Sequence, residues 1–557
     1  MMQKSIFNRI SIFIFAVIFY SCEKKSTPAP DPTPPPPANF TIINWDVNGI
    51  VGLNEYRGVN TNPVIRLNFP VAIDRNTVAT SINFNSGNYS VSYLNGDSVL
   101  LLQPAASLNY LTNYAVQAAS TLKSKKGGLL SAAAQFSLLT KIDSSDKFPI
   151  ITDNALLDKV QQQTFKYFWD YGHPISGLAR ERSNATPETV TSGGSGFGLM
   201  TIPVAISRNF ITRAEGLTRS QKMVSFLKNT AQKFHGAFPH WLNGTTGVVI
   251  PFSQKDDGAD LVETAYLMAG LLTARQYFNG AAADEITLRT DINALWNAVE
   301  WNWFRKVNEN VLYWHWSPNY AWQMNVKIQG WNECLITYIM AASSTTHGIT
   351  QILYKEGFAQ NGAIQNGNAY FGYQLPLGTA NGGPLFFAHY SFLGINPNGL
   401  TDMYANYQTQ VTNHTKINYE YCKANPQNFF GYSNLCWGLT ASDVPNGYNA
   451  NAPNSDVGVI SPTAALSSFP YTPVESMNAL KFFYYKLGDK IWKEYGFVDA
   501  FSLQNTWYAN SFLSIDQGPI IIMIENYRSQ LIWNLLSNCP EVKNGMKNVL
   551  DFTAPYL

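Results

Sequence analysis

The sequence predicts a mainly α protein in which a small all-β domain precedes a large helical toroid. Three observations carry this. The chain has 557 residues, too many for one small core. Its apolar residues alternate in short runs between residues 40 and 141, then recur at i, i+3, i+4 and i+7 beyond Ile151. The helical part is interrupted by long Gly/Asn/Pro-rich connections, notably 360–384 and 442–462, instead of the short turns of a bundle. Loops of that length in a compact domain line binding sites.

The elements follow in chain order. Lys4 and Arg9 precede an apolar run at 10–20, the length of a signal-peptide core and short for a membrane span. It ends at Phe19-Tyr20-Ser21-Cys22, which is similar to a bacterial lipobox apart from Phe19 and the bulky Tyr20. Residues 1–22 therefore read as a lipoprotein signal peptide with lipidation expected at Cys22. That implies export and an anchor in the periplasmic or outer membrane, with the cell surface open. Residues 23–39 form a linker, in which Thr27 to Ala38 carries seven prolines and favours a stiff polyproline spacer.

Residues 40–141 read as a small β domain, from runs such as Val64-Ile65-Arg66-Leu67 and Val99-Leu100-Leu101-Leu102 separated by turns such as Asn95-Gly96-Asp97. Residues 150–557 carry helical spacing over 153–171, 217–234, 260–278, 285–304, 331–342, 401–422, 474–487 and 518–536. Thr218-Arg219-Ser220-Gln221 has the form of a capping box and predicts a helix start. The glycine run Gly193 to Gly198 follows no clear strand and reads as a loop reaching a cleft.

Composition narrows the function. Lys and Arg number 38 against 37 Asp and Glu, with no basic stripe, which argues against nucleic acid or another polyanion. Aromatics make up 14% and charged residues only 13%, a balance suited to a neutral ligand. Besides Cys22 there are Cys334, Cys422, Cys436 and Cys539, without CxxC pairs or zinc-ligand spacing, so neither metal nor organic cofactor is expected. Cys422 and Cys436 are close enough in sequence for a disulfide, and buried free thiols are equally open. A monomer is expected.

Carboxylates stand out in a chain so poor in charge. Asp256, Asp257, Asp260 and Glu263 fall within eight positions at the start of an apolar helix. Helix capping accounts for one or two of them, but not for four. Like charges so close raise one another's pKa, as a general acid requires. Glu333 follows Trp331, a candidate platform for a sugar ring. Asp516 lies in a tight turn before another apolar helix and either caps it or completes a carboxylate pair with Glu333. Inverting glycosidases place two such groups roughly 6.5–9.5 Å apart. Aromatic and imidazole clusters surround them: His240 and Trp241, His315 and Trp316, His389 and Tyr390, and Trp507. No GxSxG, Walker or HExxH motif competes.

Two resemblances sharpen this. Pro63, Ile65, Phe69, Val71, Asp74, Leu108, Tyr114 and the Gly127 hairpin resemble the bacterial Ig-like domain pattern, which implies a β-sandwich acting as spacer or docking module. The second domain resembles the glucoamylase-like lipoproteins of Bacteroidetes, glycoside hydrolase family 144. The matching pieces are Thr164 to Trp169, Gly196-Phe197-Gly198-Leu199, Phe238-Pro239-His240-Trp241, Asp256 to Tyr266, Trp331-Asn332-Glu333, Gly383-Pro384-Leu385-Phe386, His389-Tyr390-Ser391, Gly431-Tyr432 with Trp437-Gly438-Leu439, and Asp516-Gln517-Gly518-Pro519. The resemblance implies an (α/α)6 barrel and inverting hydrolysis of β-1,2-glucan to sophoro-oligosaccharides, or exo-type release of sophorose. It places Asp256, Asp260 and Glu333 in the acidic cleft, with Glu333 as general acid; Asp516 is the candidate for the base side. Asp257, Glu263, Trp331, His240, Trp241, His315, Trp316, His389, Tyr390 and Trp507 are the expected substrate-binding residues. Another glucan, such as β-1,3 or α-1,4, and a non-catalytic glycan-capturing lipoprotein remain as alternatives.

Overall fold

The structure is a computed structural model that describes Ala16, residues 33–307 and residues 309–557. The expected lipidation site, Cys22, and most of the signal segment and linker lie outside the described residues.

The first domain holds nine strands: β1 (Asn44–Val47), β2 (Ile50–Val51), β3 (Glu55–Val59), β4 (Ile65–Asn68), β5 (Ile82–Phe84), β6 (Tyr89–Leu94), β7 (Val99–Pro104), β8 (Asn113–Ala118) and β9 (Ala134–Thr140). They form two sheets, ordered β2-β1-β4-β7-β6 and β3-β9-β8-β5. Only the β3–β9 pairing among these is parallel. Alternate residues such as Ile65 and Leu67 of β4, and Phe136 and Leu138 of β9, point into one shared apolar core, as the period of two requires. A short helix, α1 (Arg75–Ser81), is capped by Asp74, whose side chain accepts the Asn76 N–H.

The second domain is helical. Its main helices are α2 (Asp153–Trp169), α3 (Ser192–Ser207), α4 (Arg213–Asn229), α5 (Leu261–Tyr277), α6 (Ala283–Asn297) and α7 (Leu335–Ser343). They continue with α8 (Phe386–His389), α9 (Tyr407–Ala424), α10 (Pro462–Leu466), α11 (Pro473–Lys481), α12 (Leu487–Ile491), α13 (Ser514–Ser529) and α14 (Leu531–Ser537). Helix α3 lies against α5 and α13, α2 against α13, and α5 against α7. The domains touch through Arg57, which donates to the Asn428 carbonyl at 2.8 Å, and Lys486 holds the segment between them by donating to the Ser144 carbonyl at 2.6 Å.

Two local readings are corrected. The glycine run is not a loop: it opens α3, a helix buried from Ser192 to Ala205. Glycine is needed there because the helices nearly touch; a Cβ on Gly270 of α5 would stand 2.1 Å from the Gly196 carbonyl oxygen. The capping box belongs to Thr212 and Glu215, which bond each other's backbone N–H groups. Thr218 lies inside α4, where its hydroxyl bonds the Ala214 carbonyl.

Candidate active site

Helix α5 starts where Asp260 turns its side chain onto the Val262 and Glu263 N–H groups, at 3.0 and 2.9 Å. Just before the helix, the two-residue strand Ala259–Asp260 pairs with His315–Trp316, so Asp260 faces His315 in register. The second oxygen of Asp260 lies 3.2 Å from His240 Nδ1 and 3.8 Å from His315 Nε2. Asp256 stands 3.5 Å from the same His315 nitrogen, and its Oδ1 is buried without a partner. Asp257 is held elsewhere, by the Asn319 amide at 2.6 Å. Glu263 reaches back to the start of α3, accepting from Gly193 N–H at 2.7 Å and Thr191 Oγ at 3.1 Å.

This crowding sets the charges. Burial, then the field of Asp260, pushes the Asp256 carboxyl up to about 7. Burial does the same to Glu263, also about 7. Burial opposes charge on His240, but Glu263 and the Asp260 hydrogen bond outweigh it and carry the imidazole up to about 10. Burial on its own would raise Asp260, yet its histidine partners hold it below the usual carboxylate value. His240, Asp256 and Asp260 present donor atoms within 4.8 Å of one another, a spacing that fits a cation. In the structure these groups pair with one another, His240 with Asp260 and His315 with both Asp256 and Asp260.

Glu333 sits in the turn before α7, half-buried, with its backbone carbonyl fixed by Ser391 Oγ at 2.6 Å and Tyr266 Oη at 3.3 Å. Burial raises its carboxyl to about 7 despite a stabilising bond from its own backbone. Tyr390 links this side to a second carboxylate group: burial first, then the fields of Asp516, Tyr448, Glu333 and Glu263, hold its phenol well above the usual value. In that second group Asp516, in the first turn of α13, faces Asp499, and Asp443 is ion-paired with Arg182. Burial and Asp499 together raise the Asp516 carboxyl strongly. The Tyr390 phenol thus lies within the fields of both Glu333 and Asp516.

Comparison with known proteins identifies the family. The Glycoamylase family model matches residues 325–540 and the bacterial Ig-like domain model matches residues 45–140. An endo-β-1,2-glucanase from Chitinophaga pinensis, solved with sophorotriose and glucose, is 51% identical, with TM-score 0.72 over 73% of this chain and 100% of that one. The chain belongs to glycoside hydrolase family 144. A β-1,2-glucanase structure from Parabacteroides distasonis is 37% identical, with TM-score 0.71 over 94% of this chain and 74% of that chain. An exo β-1,2-glucooligosaccharide sophorohydrolase (non-reducing end) from the same species is 45% identical over 73% of this chain, and the match spans 59% of that relative's length.

Within this family 144 chain the expected binding residues divide. His240, His315, Glu263 and Tyr390 surround the carboxylates as described above. Trp241 is half-buried and packs on Phe252, with ring centroids 4.7 Å apart. Trp316 is half-buried in an aromatic stack with His235 and Trp303, at 5.2 and 5.4 Å. Trp507 lines a recess with Arg182 and Asp443, beside the second carboxylate group. Two residues are corrected. Trp331 is no platform: it is buried against Phe392 and Tyr407, at 6.3 and 5.9 Å. His389 is a core histidine, bonded to Ser468 Oγ at 2.9 Å, and burial pushes it down to about 3.

Beside these groups of the family 144 chain stand residues that sequence reasoning missed. Phe252 is 50% exposed beside His240, ring centroids 4.4 Å apart. Glu181, Arg182, Asp443 and Asp499 build the second carboxylate group. The available signal was Asp499 itself, a lone carboxylate inside the apolar stretch Gly496-Phe497-Val498-Asp499-Ala500-Phe501. Cys422 and Cys436 are buried free thiols, not a disulfide.

Proposed function

We propose that the protein is an inverting hydrolase of β-1,2-glucan, with Glu333 as general acid and Asp516 on the base side. The single observation that carries this is the Glu333 carboxyl. It is held by burial near neutral pH, and the Tyr390 phenol lies in the field of both it and Asp516. A group poised there gives up a proton to a leaving oxygen without being permanently charged. Asp256, Asp260, His240 and Glu263 form the fixed electrostatic floor, and Phe252 and Trp241 offer ring faces for the apolar sides of glucosyl units. The helical domain is read as an (α/α)6 barrel, with the Ig-like domain as spacer. The substrate class is supported by the β-1,2-glucan-acting relatives, and endo cleavage to sophoro-oligosaccharides by the Chitinophaga enzyme.

The sophorohydrolase relative favours a second mode, release of sophorose from the non-reducing end. Early products separate the two: a ladder of oligosaccharides for endo action, sophorose alone for exo action. The enzyme is further read as a monomer tethered outside the cytoplasm through Cys22, which rests on the sequence pattern before that residue; a Cys22→Ala protein that stays in the membrane fraction would contradict the tether.

The test of the mechanism is Glu333→Gln. Loss of about 10²-fold or more in kcat with the fold intact is expected, because an amide holds the geometry but has no proton to give. Near-normal turnover would remove Glu333 from the acid role.

A further inference from the structure

The carboxyl pair at the base side has a feature that the assignment of Asp516 alone does not use. Asp516 Oδ2 and Asp499 Oδ1 are both buried, and neither has a hydrogen-bond partner. The two residues are only 3% and 2% exposed. Their backbones are fixed: the Asp516 carbonyl accepts Thr463 Oγ at 2.8 Å, and the Asp499 carbonyl accepts Ser461 Oγ at 2.6 Å. The remaining Asp499 oxygen accepts the Asp443 N–H at 2.7 Å.

The surroundings do not neutralise the pair. Glu181 adds negative charge, and its Oε2 is itself buried without a partner. Arg182 is bonded to the Asp443 carboxylate, which also accepts Ser511 Oγ. Tyr448, on the hairpin Ala441–Val444/Gly447–Ala450, and Tyr390 bring phenols that stay protonated in this field. Two carboxyls that interact side chain to side chain out of water cannot both remain anionic, and a proton shared between them satisfies both.

We propose that Asp499 is a positioning residue that shares one proton with Asp516, so that the pair, and not Asp516 alone, acts as the base. This rests on the reading of Asp516 as the base side. In the reacting state the pair carries one proton and one negative charge, an arrangement known to activate water in other two-carboxylate sites. The free Asp516 oxygen takes a proton from the attacking water, directly or through a substrate hydroxyl. The water oxygen bonds the anomeric carbon, the glycosidic C–O bond breaks, and the leaving oxygen takes the Glu333 proton. The pair, now holding two protons, returns one to solvent, and Glu333 regains one.

The experiment measures new reducing ends from β-1,2-glucan between pH 4 and 9 for wild type, Asp499→Asn and Asp516→Asn, with melting temperatures alongside. For Asp499→Asn the acidic limb of the kcat profile is expected to move down by at least about one pH unit, because an amide donor holds Asp516 ionised. Its kcat falls by about tenfold or more as the base weakens, while KM stays within about twofold. Its Tm at pH 8 stays within a few degrees of wild type, since the proton-sharing pair and the variant each bury one negative charge. An acidic limb that stays in place overturns the inference even if kcat drops. If Asp516→Asn keeps wild-type turnover, the base reading itself fails, and this inference with it. Should Asp499→Asn not fold, infrared spectra of wild type and Asp516→Asn at pH 7 decide: loss of a protonated-carboxyl band supports the shared proton, and no change overturns it.

Discussion

Replacing Glu333 by Gln has a consequence for stability that can be worked from the structure. Burial raises this carboxyl from an ordinary 4.5 to about 7. A carboxyl whose folded pKa lies above its unfolded value contributes stability that is fully present below about pH 4.5 and is lost as pH rises through about 7. At ~1.36 kcal/mol per pH unit the loss comes to about 3 kcal/mol, and to about 1–2 kcal/mol once solvent at the cleft edge screens the charge. Glutamine never acquires that charge. Thermal melts of both proteins at pH 4.5, 6 and 8 are therefore expected to converge at the acid end. At pH 8 the variant should melt a few degrees higher, as ~1 kcal/mol moves Tm by a few degrees or less in a domain of this size. A difference that does not change with pH, or a variant that is less stable at pH 8, would refute burial as the source of the raised pKa.

Two other perturbations probe the surroundings. Asp260→Ala removes the cap on the Val262 and Glu263 N–H groups and the partner of charged His240, and should cost about 3 kcal/mol or more in urea melts; a loss under about 1 kcal/mol would show the network is not coupled to folding. Gly270→Ala places a methyl 2.1 Å from the Gly196 carbonyl, and should cost about 1–3 kcal/mol by forcing α3 from α5; an unchanged Tm would contradict the close helix contact.

Much of the architecture was legible because burial patterns leave periodic traces. The predicted helix at 153–171 is observed as Asp153–Trp169, and that at 260–278 as Leu261–Tyr277 with Asp260 as cap. Helix α3 was missed because it is buried along most of its length, so it shows no amphipathic stripe, and its glycines signal loops in isolation while serving close packing here. The Thr218 motif misled because one helical stretch carries two candidate starts, and only tertiary context chooses Thr212. In the site, the clustered acids announced themselves by density. Asp499 showed only as a lone acid in an apolar stretch, and Asp443 gave no signal, since it lies on a hairpin that only the fold brings to Asp499. Trp331 and His389 carried the residue types of a sugar site but are buried in the core, a distinction that sequence does not encode.

The central claim is hydrolysis of a β-1,2-linked glucan. It is tested most directly by the initial rate of new reducing ends when the purified protein meets β-1,2-, β-1,3- and α-1,4-glucans side by side. The account predicts turnover on the β-1,2-glucan with little or none on the other two. Turnover confined to another linkage, or binding of β-1,2-glucan without new reducing ends, would contradict it.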